Sequence, residues 1–343
     1  MSVDRILPIG VQSFDVMRSD DFVYIDKTQY LYNLVTSGRV YFLSRPRRFG
    51  KSLFLSTLAA YFEGRKELFR GLYLEKAEEE LAQIKGREAW ISYPVLRLDL
   101  NAKNYIDREK LIERLSFCLD ELEKKYSVRK RYKTPEERFQ YLIGTLYEKT
   151  GKQVVVLIDE YDKPLMDALH LPKLYETYRG ILQAFYTVIK GSDAYLRFVF
   201  LTGVSRFGKL TIFSGLNSLN DISMDAQYAG ICGITKAELL ENFVPELELL
   251  AKAQALSYKD VLAELKKRYD GYQFTEEENV HVYNPFSLLN VLQKKKFRNY
   301  WYATGTPSFL VKYLYAEGVH FPDLEGEILL DQEGLETSPA DTE

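Results

Sequence analysis

At 343 residues the chain is long enough for two domains, and with 46% hydrophobic and 28% charged residues it has the composition of an ordinary globular protein. Its formal net charge of −3 excludes a global field that would draw the whole chain to DNA or to an anionic membrane. The two cysteines form no Cys-x-x-Cys pair, the three histidines are scattered, and there is neither a long apolar run nor an export signal, so we expect a cytoplasmic protein without a zinc site or a membrane span.

The first elements of the chain lead into a short basic loop. Residues 29–37 predict a helix, and residues 38–44 are apolar enough for a buried strand. The loop that follows has the sequence RPRRFGKS at residues 45–52. From Ser52 onward a broad apolar surface predicts a second helix, which Gly64 ends.

The order strand, tight loop ending in Gly-Lys-Ser, helix is typical of a site for nucleotide phosphates. Backbone N–H groups at a helix start point at an anion, and the helix dipole adds positive potential there. Lys51 would reach the outer phosphates, and the hydroxyl of Ser52 would hold Mg²⁺. Arg45 stands where such loops have their first Gly, and because it cannot adopt positive φ freely the loop must take another backbone route. Alone, Gly-Lys-Ser also fits a helix start with a chance lysine.

The residues that follow alternate between strand and helix patterns. The predicted elements are a strand at 94–100, helices at 107–125 and 136–148, a strand at 153–159, a helix at 173–190, a strand at 196–202 and a short further strand near 229–233. Such alternation indicates a parallel sheet with right-handed crossovers. The sequence therefore predicts an α/β fold.

Two carboxylates follow the third of these strands. Its apolar run predicts burial on both faces, and Asp159 and Glu160 stand at its carboxyl end, where ligands bind in open α/β sheets. Asp159 is placed to orient Mg²⁺ and its waters, and Glu160 to polarise the water that attacks a γ-phosphate. An Asp-Glu pair after a strand also fits a solvated turn that caps the next helix. Both motifs together, in this order and each after a strand, favour phosphate binding.

Polar residues also end the strand at 196–202. Thr202 and Ser205 are candidates for sensing the γ-phosphate or positioning the water, and Arg206 is a candidate for stabilising developing charge. A helix cap and a surface arginine are the alternative interpretation of these residues.

The last third of the chain changes character. Thr235 and Glu238 have the spacing of a capping box, and helical periodicity continues beyond them. We expect a core at residues 1–233, including a lead-in at 1–37, then a mostly helical lid at 234–318 and an acidic tail or linker at 319–343.

With these motifs in place, the chain resembles the AAA-ATPase-like family of bacterial and archaeal proteins. The matching runs are YIDKT at 24–28, RPRRFGKS at 45–52, IDEYDKP at 158–164, FLTGVSRF at 200–207, FSGLN at 213–217, YDGYQF at 269–274, VYNPFS at 282–287 and NYWYATGTP at 299–307. The phosphate loop of that family has this form, so the resemblance makes the missing first Gly a family trait.

The resemblance implies a P-loop NTPase of the ASCE/AAA-like type, with a parallel sheet flanked by helices and with ATP and Mg²⁺ as ligands. Members commonly continue into a nuclease-like domain of the PD-(D/E)XK type, and this sequence stops before it. The Glu-x-Lys spacing of such nucleases occurs at Glu123 and Glu264. Both lie in stretches with helical periodicity, so we expect solvated helix faces there and no nuclease site in this chain.

The predicted site combines the three motifs. The predicted catalytic residues are Lys51, Glu160 and Arg206, and the predicted Mg²⁺ ligands are Ser52 and Asp159. The residues expected to contact the nucleotide are Arg47, Arg48, Phe49, Gly50, Lys51, Ser52, Leu53 and Thr202.

Three functions are open at this point. The first is an ATP hydrolase, helped by an arginine finger from Arg206 or from a second subunit or partner. The second is a nucleotide-gated switch with little turnover that controls a partner. The third, a nucleic-acid motor, is disfavoured because we recognise no basic stripe with interleaved aromatic residues, so nucleic acid would be contacted only indirectly, if at all.

Overall fold

The structure is a computed structural model, and it describes residues 5–101, 105, 107–205, 212–213, 219–276 and 280–300. The helices among these residues are α1 (Phe14–Ser19), α2 (Thr28–Ser37), α3 (Lys51–Phe62), α4 (Tyr73–Ile84), α5 (Arg108–Lys125), α6 (Pro135–Thr150), α7 (Lys163–Ala168), α8 (Pro172–Gly191), α9 (Lys236–Asn242), α10 (Val244–Gln254), α11 (Tyr258–Tyr269) and α12 (Pro285–Lys294). The strands are β1 (Val40–Ser44), β2 (Val95–Asp99), β3 (Val154–Asp159), β4 (Leu196–Gly203), β5 (Asn220–Asp221), β6 (Ile234–Thr235), β7 (Tyr272–Gln273) and β8 (His281–Tyr283).

The described residues fall into two compact units. The first contains the chain up to Arg39, Arg45–Ser92 and the described residues from Asp221 onward, and the second contains Val40–Ser44 and Tyr93–Asn220. This grouping does not test whether residues 234–318 act as a lid, so the expected division at residue 233 stays a prediction.

A parallel sheet organises the second unit. The strand order is β2-β3-β4-β1, with β5 beyond β1, and the pairs β2–β3, β3–β4 and β4–β1 are parallel. Every residue of β3 is buried, as its apolar run predicted. The predicted α/β fold with a parallel sheet is confirmed, and the strand that carries Thr202 lies between β1 and β3.

Helices α5, α6 and α8 bury their apolar stripes with alternate residues of the sheet. Between α5 and α6, the guanidinium of Arg138 binds the carboxylate of Glu123 at 2.7 Å and that of Asp120 at 2.6 Å. Burial by itself would lower the pKa of Arg138, but these two carboxylates raise it above its ordinary value. The prediction of a solvated helix face at Glu123 is wrong, because this side chain forms a buried ion pair. Glu264, by contrast, makes the expected surface pair with Arg268, four residues later.

The first unit contains a small second sheet that the sequence did not predict. Its strands lie in the antiparallel order β6-β8-β7, and α9 to α12 form a separate apolar core beside it. The capping box at the start of α9 is present as predicted, and Pro285 begins α12. The short strand expected at 229–233 is wrong, because that segment forms turns and bends after a 3₁₀ turn at Ala226–Tyr228.

Gly64 follows α3 as predicted, and its role is steric as well as conformational. Its φ is +75°, and a Cβ at this position would lie 2.7 Å from the carbonyl oxygen of Trp90. The chain therefore turns back closely enough on itself that only glycine fits there. Within the described residues, no helix combines the length and the apolar character needed to cross a membrane.

Candidate functional site

The loop before α3 contains two residues in the left-handed region. Gly50 precedes the helix with φ +98°, in the left-handed region that favours glycine, and Arg48 adopts φ +67°. Among the described residues, no side chain caps the amino end of α3. The first N–H groups of this 12-residue helix are therefore donors that a bound anion could satisfy.

The ammonium of Lys51 lies across this loop. Its Nζ donates to the carbonyl oxygens of Arg45 at 2.7 Å and Pro46 at 3.0 Å, and the side chain is buried. The predicted lysine is thus held against the loop backbone by hydrogen bonds to neutral carbonyls. Phosphate oxygens carry negative charge and accept stronger hydrogen bonds from an ammonium than carbonyls do.

Arg45, which stands where such loops have their first Gly, holds the loop in place with its side chain. Its guanidinium is buried and donates to the carbonyl oxygens of Ser223 at 2.7 Å and Tyr228 at 3.1 Å. It also lies 4.0 Å from the centre of the Phe274 ring. Burial lowers the pKa of Arg45 to about 10, so the group is still charged at neutral pH. The left-handed residues of the loop are 48 and 50 instead, and Arg45 anchors the loop to the segment after β5.

Replacing Arg45 by Met is expected to lower the free energy of unfolding by about 2 kcal/mol. Each hydrogen bond from a charged donor contributes about 1.5–3 kcal/mol, and the methionine recovers part of the loss by apolar burial. Urea unfolding measures the effect, and Arg70→Met is the control because Arg70 is exposed in the same unit. That control should change stability by about 0.5 kcal/mol or less. Equal losses for the two variants would contradict the anchoring role.

The side chain of Phe49, a predicted nucleotide contact, packs against two other aromatic rings. The ring is buried and packs edge-on against Tyr272 at 4.7 Å and Phe274 at 5.6 Å between ring centres. Its carbonyl oxygen accepts the amide of Gly233 at 3.1 Å. What Phe49 can offer a phosphate is therefore its backbone amide, while its ring ties the loop to the small sheet.

The other predicted loop residues lie closer to solvent. Arg48 is exposed, with its guanidinium 4.0 Å from the centre of the Phe286 ring at the start of α12. Arg47, Ser52 and Leu53 are half-buried, and Ser52 lies in the first turn of α3.

The second unit presents a carboxylate where β3 ends. Asp159 is buried, and its Oδ1 accepts the hydroxyl of Thr202 at 2.6 Å and the amide of Glu160 at 3.1 Å. Thr202 is fully buried on the adjacent strand, so its hydroxyl fixes the orientation of Asp159. Glu160 is half-buried with φ +50°, which is uncommon for a residue with a side chain.

A neighbouring carboxylate was not predicted from the sequence. Asp99 ends β2 directly opposite Asp159 in the sheet register, and Arg114 lies 3.9 Å from its Oδ2. The Asp99 side chain is about half exposed, and the partial loss of water around it raises its pKa; the amide of Asn101 opposes this shift, and the Asp159 charge adds to it. At the carboxyl ends of β2 and β3, the negative charge of Asp159 therefore makes the ionisation of Asp99 less favourable.

We expect Asp99→Asn to stabilise the protein at pH 7. An acid whose pKa is higher in the folded state destabilises that state when it ionises, and the penalty disappears as the pH falls below the unfolded value of about 4. The stability gain should therefore be largest at neutral pH and shrink as the pH falls from 6 toward 4. Thermal unfolding of both chains across that range is the measurement. A gain that is constant with pH would contradict the origin in ionisation.

The residues after Glu160 clamp the end of β4. Asp162 is buried, and its carboxylate accepts the amides of Val204 and Ser205 at 3.0 and 2.7 Å and the Ser205 hydroxyl at 2.8 Å. The Tyr161 hydroxyl donates to the carbonyl of Ser205 at 3.1 Å. Ser205, a candidate for sensing phosphate, thus holds the turn together. Arg206 lies outside the described residues, so its predicted catalytic role stays a prediction.

Each unit, taken by itself, contains donor types that suit a nucleotide with Mg²⁺. Helix amides, an ammonium, a hydroxyl and a fixed carboxylate are the groups that hold phosphates and their metal in such sites. Within the described residues, no three His, Cys, Asp or Glu side chains are grouped so that they could hold a metal ion on their own. Mg²⁺ in nucleotide sites usually takes one or two side chains together with phosphate oxygens and water. Ser52 and Asp159 are donors of that kind.

The family to which the chain belongs follows from its similarity to known proteins. The sequence model of a family described as "Predicted AAA-ATPase" matches residues 8–213. The chain belongs to this AAA-ATPase-like family. An uncharacterized protein in the vnfD 5'region of Azotobacter chroococcum mcd 1 is 42% identical over 327 residues, which cover 95% of this chain and 59% of that protein. The chain thus spans about three fifths of the length of this relative.

Membership in the AAA-ATPase-like family confirms the resemblance and agrees with the parallel-sheet fold. The family description supports nucleotide binding in general. It does not test the predicted site residues, their metal or hydrolysis.

Proposed function

We propose that this AAA-ATPase-like chain binds ATP with Mg²⁺ and hydrolyses it to ADP and phosphate. The observation that carries the proposal is the ammonium of Lys51, buried and hydrogen-bonded across the loop carbonyls at the uncapped amino end of α3. An ammonium in this setting exchanges neutral acceptors for charged phosphate oxygens when a nucleotide binds. ATP rather than another nucleotide is proposed from the family.

The chain's residues would divide the work between binding and proton transfer. Lys51 and the amides of residues 49–53 would hold the β- and γ-phosphates, and Arg47 and Arg48 would add positive charge beside them. The Ser52 hydroxyl would hold the metal directly, and Asp159 would hold it through water. Bound Mg²⁺ would supply neutralisation of the phosphate charge.

Glu160 would accept the proton of the attacking water. The oxygen of that water would form a bond to the γ-phosphorus as the bond to the β–γ bridging oxygen breaks, leaving ADP and phosphate. Thr202 supports this arrangement by donating a hydrogen bond from its hydroxyl to Asp159, which keeps the carboxylate oriented. Thr202 was predicted as a nucleotide contact, and we propose that it acts by positioning Asp159.

Phosphate release by wild type and Glu160→Gln tests hydrolysis. Removing a general base should slow release by about 10²- to 10⁴-fold without preventing nucleotide binding. Glu148→Gln is the control, because Glu148 is an exposed residue of α6 in the same unit. Equal rates at the buffer background for all three proteins would reject hydrolysis.

A nucleotide-gated switch is the second candidate, and contacts within the first unit favour it. The phosphate loop is tied to the segment after β5 through Arg45, to the small sheet through Phe49, and to α12 through Arg48. A nucleotide that reorders the loop would therefore disturb these contacts. Backbone hydrogen exchange at β7, β8 and α12 with and without ATP and Mg²⁺ measures this, and unchanged exchange would reject the switch.

A neighbouring subunit or another partner is proposed as a source of the arginine finger. Arginine fingers in related enzymes speed phosphoryl transfer by about 10³- to 10⁵-fold. If a second copy supplies the arginine, the rate per chain should rise with protein concentration. A rate per chain that is independent of concentration would contradict an arginine supplied by reversible association with a second copy.

A further inference from the structure

A strongly basic loop lies in the second unit, apart from the residues assigned above. Residues 124–133 run from the end of α5 to just before α6, and within these ten residues there is no Asp or Glu. Their six cationic side chains, all exposed, are Lys124, Lys125, Arg129, Lys130, Arg131 and Lys133. Charges attract beyond about 8–10 Å only weakly at physiological salt, so this local density acts on a ligand more than the overall charge of −3 does.

The basic loop (residues 124–133) is held in place by hydrogen bonds. The hydroxyl of Tyr126 donates to the carbonyl of Val95 at 2.9 Å and accepts the amide of the same residue at 2.8 Å. Val128 is buried, and Lys149 of α6 donates to the carbonyl of Ser127 at 3.1 Å. The loop is thus fixed beside the first residue of β2, whereas Asp99 ends that strand.

Aromatic rings accompany the charges. Tyr132 is 38% exposed and packs edge-on against Tyr141 of α6, with 5.4 Å between ring centres. The guanidinium of Arg131 lies 5.8 Å from the first ring and 5.7 Å from the second. Planar rings beside a guanidinium are the groups on which unpaired nucleobases stack.

Three carboxylates that flank the loop in the sequence have partners in the protein, and one of those partners, Lys130, belongs to the loop. Glu123, the residue before the loop, binds Arg138 at 2.7 Å. Asp120 binds Arg138 at 2.6 Å and Lys130 at 3.1 Å. The Glu137 carboxylate accepts the Thr134 hydroxyl at 3.0 Å, and the Thr134 hydroxyl oxygen in turn accepts the Glu137 amide at 3.4 Å. Within the described residues, Arg129, Arg131 and Lys133 form no ion pair with the protein. These three charges are therefore available to an external anion.

We propose that the basic loop is a binding site for single-stranded nucleic acid, with its cations on the phosphate backbone and Tyr132 stacking on a base. This goes beyond the proposed ATPase function and replaces the expectation that nucleic acid is contacted only indirectly. Single strands are favoured over duplexes because a paired base offers no free face to a tyrosine. In the sequence the loop is hard to recognise as a separate basic site, because its charges continue those of α5.

Fluorescence polarisation of a labelled 20-nucleotide single strand tests the charges. The variant Arg129→Gln/Arg131→Gln/Lys133→Gln removes three charges, and Lys259→Gln/Lys266→Gln/Lys267→Gln removes three exposed charges from α11 as the matched control. At about 50 mM salt we expect micromolar binding by wild type and by the control, and at least about tenfold weaker binding by the loop variant. The slope of log affinity against log salt should fall by about 2 for the loop variant. Equal weakening by both triple variants, or no binding by wild type, would overturn the proposal.

Tyr132 distinguishes a stacking site from a simple polyanion site. Tyr132→Ala should weaken single-strand binding by about tenfold, Tyr132→Phe should keep wild-type affinity, and heparin affinity should be the same for all three proteins. Duplex of the same length should bind more weakly than the single strand. Equal loss of heparin and single-strand affinity in Tyr132→Ala, or equal binding of duplex, would contradict the stacking role.

Two further measurements separate this proposal from others. The loop variant should keep the melting temperature of wild type and the same stabilisation by ATP and Mg²⁺, which excludes misfolding and keeps the test independent of the ATPase proposal. Phosphatidylserine vesicles test the other anionic partner. If the loop variant loses vesicle binding and keeps single-strand binding, the nucleic-acid assignment is wrong.

Discussion

Lys51→Met should lose most of its affinity for ATP with Mg²⁺, by about 100-fold or more. One ammonium that donates to charged oxygens contributes about 1.5–3 kcal/mol per hydrogen bond, and two such bonds give a loss of this size. Methionine keeps most of the buried stem, so the fold should persist without the charge. The expected loss comes from binding rather than from unfolding.

A melting experiment makes this result quantitative. With ATP and Mg²⁺ at about 100 times the wild-type dissociation constant, mass action stabilises wild type by about 2.7 kcal/mol. A variant with 100-fold weaker binding gains only about 0.4 kcal/mol at the same concentration. Lys66→Met is the matched control, because Lys66 is an exposed lysine of the same unit that pairs with Glu79 at the surface. If ATP and Mg²⁺ stabilised Lys51→Met as much as wild type, the phosphate-binding proposal would be wrong.

The fold could be predicted wherever a long periodic pattern was present. The fully apolar run of β3 and the stripes of α5, α6 and α8 gave their elements within a few residues of the observed bounds. The small sheet could not be found in this way, because strands of two or three residues carry no measurable alternation. Glu123 was misjudged because its partner, Arg138, comes from another helix and the pairing depends on tertiary packing.

The candidate site was predictable in its residue types and less so in their contacts. The motifs Gly-Lys-Ser and Asp-Glu predicted which residues would be donors, since few residue types can bind phosphates and their metal. The sequence could not show that Arg45 would be a buried anchor, or that the Phe49 ring would pack against β7. Asp99 escaped notice because a single Asp at a strand end has no signal until the sheet register brings it opposite Asp159.

The family motif IDEYDKP at residues 158–164 illustrates the same limit. From the sequence, Asp159 and Glu160 were predicted to act on the metal and the water. In the structure the third acid, Asp162, stabilises a turn. The Asp162 carboxylate holds the turn after β4, and a Cβ on Gly203 would lie 2.4 Å from the Tyr161 ring and 2.7 Å from an Asp162 oxygen. The two turns therefore approach so closely that glycine is required. Through this clamp the end of β4, which carries Thr202, is fixed relative to Asp159.

Asp162→Ala should accordingly destabilise the protein by about 3 kcal/mol or more and reduce phosphate release. The change leaves the part-buried amide of Val204 and the buried amide and hydroxyl of Ser205 without their charged acceptor, and each such loss costs about 1–3 kcal/mol. Asp167→Asn is the control, because the Asp167 carboxylate pairs with Lys163 four residues earlier on the same helix and such pairs contribute about 0.3–0.5 kcal/mol.

Urea unfolding and phosphate release measured on both variants separate the two effects of the clamp. Asp162→Asn keeps one oxygen acceptor without the charge, so its stability should fall between those of wild type and Asp162→Ala. If the clamp positions Thr202 and Asp159, turnover should fall in the same order at a temperature where all the proteins remain folded. Stability of Asp162→Ala within about 0.5 kcal/mol of Asp167→Asn would show that water replaces the carboxylate and that the turn holds without it.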